Sequence, residues 1–150
     1  QIAIVGDISH SRVAASDIEI FNMFGAKDIR LICPKHLQPK EVLPNTKIFH
    51  NLAEGASKAD VIIALRIQKE RFMSNEEIPD EKSYFEQFGI TESTLALASP
   101  QVMIMHPGPM NRGVEISDSV ADGSHSHIVR QVTYGMAVRM AILKKLSSFL

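Results

Sequence analysis

Three polar clusters hold residue types suited to gripping a small charged molecule: GDISHSR at 6–12, LRIQKER at 65–71 and HPGPMNRGVEI at 106–116. Arg12 falls in the first turn of a helix, whose N-terminus is electropositive. Arg66 leaves a buried strand, which fixes its base, and Gln68, two residues on, points the same way in an extended chain. Guanidinium grips carboxylate through two parallel hydrogen bonds, so two arginines and an amide suit a ligand with two carboxylates. Pro107, Gly108 and Pro109 have no side-chain donors, and proline also lacks an N–H. That turn therefore offers mainly carbonyl oxygens, which suit an ammonium or a carbamoyl amide. Together the groups describe a site for an amino-dicarboxylic acid such as aspartate.

Each feature alone has a plainer reading. Arg12 also fits a solvated helix residue, Arg66 a charge at a strand exit, and HPGP a stiff turn. His10 and His106 read as hydrogen-bonded structural histidines rather than bases. Lys69, Glu70 and Arg71 read as a solvated charged face. The SHSH run at 124–127 has nothing nearby to complete a metal ligand set. Gly6 does not begin a G-x-G-x-x-G pattern, which disfavours a dinucleotide site.

The elements that must position these clusters follow from apolar runs and breakers. QIAIVGD, DIRLIC, ADVIIALR and QVMIM read as buried strands, with a weaker one at Lys47–Phe49. A helix follows the first strand, with Ser11 as its cap, Ala14, Ile18 and Phe21 on one face and Gly25 as its stop. Further helices are expected at Leu52–Ala59, from Thr91 to near Ala98, and from Ser126 to Phe149. Gln68–Lys82 reads as a surface loop with some helix. Strands alternating with helices, without hairpin signals, imply a three-layer α/β/α domain with a five-stranded parallel, Rossmann-like sheet. The order 3-2-1-4-5 is expected, which brings the three clusters to the carboxyl edge where strand order reverses. The last helix carries two apolar stripes, Ile128–Val132–Gly135–Val138–Ile142–Leu146 and Met136–Met140–Leu143, so it calls for cover from the core or from a partner.

The 150 residues are the size of one domain, with 45% apolar residues and a net charge of −1. That balance gives no reason to expect nucleic acid or a membrane as partner, and no apolar run reaches the ~18 residues of a span. The lone Cys33 in an apolar run fits a buried thiol in a reducing cytoplasm. A chain that starts at Gln1, directly in a strand, reads as a domain of a longer protein.

GDISHSRVAAS, LRIQKER, YFEQFGIT, MHPGPMNRGVEI and VTYGMAVRMA, in that order, resemble the aspartate-binding second domain of aspartate carbamoyltransferases, from Ile2 to about Leu146. The resemblance implies transfer of a carbamoyl group from carbamoyl phosphate to L-aspartate, the committed step of pyrimidine synthesis, with no metal or organic cofactor. It implies that Arg12 binds the α-carboxylate, that Arg66 and Gln68 bind the side-chain carboxylate, and that backbone oxygens of Pro107 and Gly108 meet the reacting groups, with a cis bond to Pro109. It makes residues 68–84 part of a loop closing over substrate, locked by Glu70 and Arg71. The family's carbamoyl-phosphate-binding N-terminal domain has no counterpart in residues 1–150, so the chain alone is expected to be inactive. A homotrimer is implied at full length, with the last helix packed on that first domain. Two alternatives stand beside this reading: an ornithine carbamoyltransferase domain, disfavoured by HPGP and by Arg66, and a non-catalytic assembly paralogue.

Overall fold

A computed structural model describes residues 1–41, 44–72 and 78–149, and of Lys69 only the backbone. Five short strands, β1 (Ile2–Val5), β2 (Ile29–Ile32), β3 (Thr46–Phe49), β4 (Val61–Ala64) and β5 (Met103–Met105), form one sheet in the order β3-β2-β1-β4-β5. Every pairing is parallel. This is the expected order, and it follows from short apolar runs that must be covered on both faces. In β1, Ala3 and Val5 enter one core while Ile4 enters the other; Ile62 and Ala64 are divided from Ile63 in the same way on β4.

Helix α1 (Arg12–Met23) covers one face with Ala14 and Ile18. The other face receives α2 (Leu52–Ala56), α3 (Glu81–Phe88), α4 (Glu92–Leu97) and α5 (Asp118–Ala121). Ser11, Asn51, Asp80 and Ser117 cap α1, α2, α3 and α5, each accepting a hydrogen bond from a first-turn N–H. Sequence periodicity reveals neither the four-residue α5 nor the longer α3. The α3 sequence, EKSYFEQF, is mostly polar, and only Tyr84 and Phe88 are buried. These two lie one turn apart and stack at 5.6 Å, which is enough to seat the helix once Asp80 starts it. Within the Gln68–Lys82 stretch, residues 73–77 lie outside the described part.

Helix α6 (Ile128–Ser147) forms as expected, but its apolar stripes are not covered by the domain core. Only Ile128 is buried, while Val132, Met136, Val138, Met140, Ile142, Leu143 and Leu146 are all exposed.

The core predicts a sharp contrast between positions. Ile4→Ala, at a fully buried site in the central strand, lowers unfolding free energy by about 2–5 kcal/mol. Met23→Ala, 85% exposed at the end of α1, changes it by no more than about 0.5 kcal/mol. Urea denaturation of both variants checks this, and equal losses would contradict the assigned core.

Candidate functional site

The sheet register sets the exits of β1, β4 and β5 side by side. Val5 pairs with Ala64, and Ile63 with Met105, so the chain leaves the sheet at Gly6, Leu65 and His106 along one edge. The first two exits touch: Leu65 N–H donates to Val5 O at 2.8 Å. A Cβ on Gly6 would stand 2.8 Å from Leu65 O, and Gly6 has φ +133°, so only glycine fits this crossing.

The first cluster is organised from beneath by Asp7, which is buried. Its Oδ1 accepts from the His10 N–H at 3.1 Å and from Ser9 Oγ at 3.2 Å, and lies 2.8 Å from His10 Nδ1. Ser11 Oγ then accepts the Ala14 N–H and starts α1, which places Arg12 exposed in the first turn, at the positive end of the helix.

In the second cluster, Ile67 is buried while Arg66 and Gln68 on either side of it are half-buried. Arg66 meets Glu70 fork to fork: Nη1–Oε1 and Nη2–Oε2 are both 3.2 Å. Its Nε is buried and has no partner. A short 3-10 turn, Lys69–Arg71, brings Arg71 Nη1 to the His10 carbonyl at 2.7 Å. The Phe72 ring lies 4.6 Å from the His10 ring. Of the residues that read as solvated charges, Glu70 therefore holds Arg66 and Arg71 ties the β4 exit to the loop after β1.

The third cluster closes on itself. The Gly108–Pro109 bond is cis, and Gly108 has φ +72° with open space where a side chain would stand. His106 is fully buried; its Nδ1 accepts the Gly108 N–H at 2.9 Å, and its Nε2 lies 3.1 Å from Glu115 Oε1. Glu115 Oε1 also accepts the Asn111 N–H. The His106 N–H reaches Gln131 Oε1, in the first turn of α6, at 3.2 Å. Pro107 is half-buried, and Gly108 and Pro109 are exposed beside the β4 exit.

Sequence reasoning passed over Asp7, Glu115 and Tyr84. Glu115 does leave a signal, since it is a single acid between Val114 and Ile116. Tyr84 is buried with no partner for its hydroxyl, and burial pushes its ionisation up, helped by the negative charges of Glu115 and Asp7. Burial, with Asp7 nearby, pushes the Cys33 thiol up to about 12, so Cys33 is not a nucleophile at neutral pH. The ring Nδ1 of His125 lies 2.9 Å from the Val102 carbonyl, a structural role within the SHSH run. Among the described residues no group of three His, Cys, Asp or Glu is placed to hold a metal.

The model of the Asp/Orn binding domain of aspartate/ornithine carbamoyltransferases matches residues 1–146. The chain belongs to this family. The aspartate carbamoyltransferase catalytic subunit of Ruthia magnifica subsp. Calyptogena magnifica is 53% identical over 147 residues, 95% of this chain and 45% of that protein. The chain thus spans less than half the length of this carbamoyltransferase relative. Aspartate transcarbamoylase from Trypanosoma cruzi, solved in complex with carbamoyl phosphate, superposes with a TM-score of 0.81 at 30% identity, covering 95% of this chain and 48% of that one. Ornithine carbamoyltransferase from Pyrococcus furiosus gives a TM-score of 0.81 at 23% identity, again over 95% of this chain and 48% of the other, and shares the fold.

The buried thiol of Cys33 carries a pH prediction. The fold favours protonated Cys33, so the stability this gives is complete below its ordinary value of 9.0 and is lost as pH rises toward about 12. The urea midpoint falls above pH 9, and Cys33→Ala falls less steeply over the same range. Identical slopes for the two proteins would remove Cys33 from the alkaline transition.

Proposed function

We propose that this chain is the amino-acid-binding half of an aspartate carbamoyltransferase. The observation that carries the choice of aspartate is Arg66, whose guanidinium already holds a carboxylate fork to fork at a central strand exit. A guanidinium carries five N–H donors and Glu70 engages only its two Nη atoms, so a second carboxylate can share it, whereas the ammonium of ornithine is repelled. The 53% identity to an aspartate carbamoyltransferase catalytic subunit points the same way.

In this reading Arg12 takes the α-carboxylate of L-aspartate, and Arg66 with Gln68 takes the side-chain carboxylate. Pro107, Gly108 and Pro109 form the wall on which carbonyl oxygens face the amino and carbamoyl groups. The amine nitrogen attacks the carbonyl carbon of carbamoyl phosphate; the C–N bond forms, the bond from carbon to the bridging anhydride oxygen breaks, and phosphate leaves with the amine's proton. The products are N-carbamoyl-L-aspartate and phosphate, the first committed step toward pyrimidines, in the cytoplasm. Rate enhancement comes from positioning and fixed dipoles rather than from a side-chain base. The carbamoyl phosphate site belongs to an N-terminal domain outside these residues, within a homotrimer. That domain also covers the apolar stripes of α6. Contact of Arg71 and Phe72 with His10 keeps the 66–72 segment against the site.

NMR titration of the labelled chain tests this. L-Aspartate shifts the resonances of Arg12, Arg66, Gln68 and Gly108, and L-ornithine does not; Arg66→Gln weakens the aspartate response by about tenfold or more, the loss of a charge-assisted bidentate contact. A response to ornithine, or none to aspartate, would sink the assignment. The purified chain given both substrates forms no carbamoyl aspartate in a colorimetric ureido assay, whereas turnover would show that it needs no second domain.

A further inference from the structure

We propose that Glu115 is a positioning residue: through His106 it consumes the one backbone N–H in the Pro107–Pro109 segment and leaves the turn a wall of acceptors only. The inference rests on reading that segment as part of the amino-acid site.

The hydrogen-bond directions leave little choice. A backbone N–H can only donate, so His106 Nδ1, 2.9 Å from Gly108 N, is the bare nitrogen of the ring. The ring's single proton is then on Nε2 and is donated to Glu115 Oε1 at 3.1 Å. The same oxygen accepts the Asn111 N–H, which fixes the carboxylate from the far side of the turn. A ring protonated on Nδ1 would face the Gly108 N–H with a second donor. His106 and Glu115 are 1% and 2% exposed, so water does not substitute for either partner.

The consequence lies at the surface of the turn. Pro107 and Pro109 have no N–H, and the N–H of Gly108 is turned inward to the ring. Every backbone polar group this segment shows to the site is a carbonyl. Such a wall welcomes N–H donors, an attacking amine or a carbamoyl amide, and turns away carboxylate and phosphate oxygens. It is the electrostatic inverse of a pocket lined by amide donors. Glu115 thereby sorts which end of a zwitterionic substrate lies against the turn, although it touches no substrate.

The test needs the chain alone. Ring nitrogen NMR of His106 at neutral pH shows a neutral ring with the proton on Nε2, and the Gly108 amide exchanges slowly with solvent. In Glu115→Leu the Gly108 amide exchanges at least about tenfold faster, the loss of one hydrogen bond's protection. Glu115→Gln, whose side-chain carbonyl still accepts, keeps both the ring state and the slow exchange. A merely space-filling role for Glu115 would leave the ring state untouched in every variant. A wild-type ring protonated on Nδ1, or unchanged Gly108 exchange in Glu115→Leu, overturns the proposal; should that variant fail to fold, the ring state in the wild type and in Glu115→Gln decides. A correct ring state with no aspartate response in the wild type instead overturns the aspartate reading, so the two failures are told apart.

Discussion

A parallel sheet delivers the carboxyl end of every strand to one edge, and this site depends on which strands are neighbours there. β1 lies between β2 and β4, and β4 lies beside β5. Groups far apart in the chain therefore become adjacent by register alone, before any loop has chosen a conformation. The closeness is tightest where Gly6 passes Leu65 O, because the two strands leave the sheet in contact. A side chain at position 6 would pry apart the exits that carry Arg12 and Arg66. The constraint is one of backbone sterics, and the polar chemistry is built on top of it.

Above that edge the polar loops are shaped by acids rather than by the bases and arginines that first draw notice. Asp7 gathers the loop after β1, and Glu115 gathers the turn after β5. Each is buried and each uses one oxygen for several donors. Glu70 does related work in the open, holding the guanidinium of Arg66 in a defined plane. A long, rotamer-rich side chain costs entropy to order, so an arginine held in advance binds a carboxylate more readily than a free one. The two histidines serve these acids: His10 links Asp7 to Arg71 and Phe72, and His106 links Glu115 to Gly108.

Much of this was legible in the residues and part of it was not. Strand order followed from apolar runs punctuated by Gly and Pro, because crossovers between parallel strands have few allowed layouts. The polar clusters stood out because Arg66, Gln68 and HPGP directly follow apolar strands. Their supports did not stand out. Asp7 reads as an ordinary turn residue, and its burial comes from the tertiary fold, not from its neighbours in sequence. Glu115 lies nine positions from His106, a pairing that no local period specifies. Helix α3 was hidden because two buried aromatics suffice to hold it, too few to set a pattern in a charged stretch. Helix α6 was legible as a helix, but periodicity reports which residues share a face, not whether anything covers it.

That last point explains an otherwise odd composition. Helix α6 is rooted by Ile128 in the core and by Gln131 on the His106 N–H, and its remaining turns stand in solvent. At 20 residues the helix is longer than the ~12–15 below which isolated helices are marginal, and its Ala, Met, Arg, Leu and Lys residues favour it. Propensity does not account for Val129, Val132, Val138 and Ile142, however. β-Branched residues lose side-chain freedom in a helix and gain nothing from exposure to water. Their place on this helix fits surface to be buried, the role proposed above for the N-terminal domain. Because Gln131 on the same helix bonds the His106 N–H, any body packed on α6 would be joined through that residue to the turn after β5.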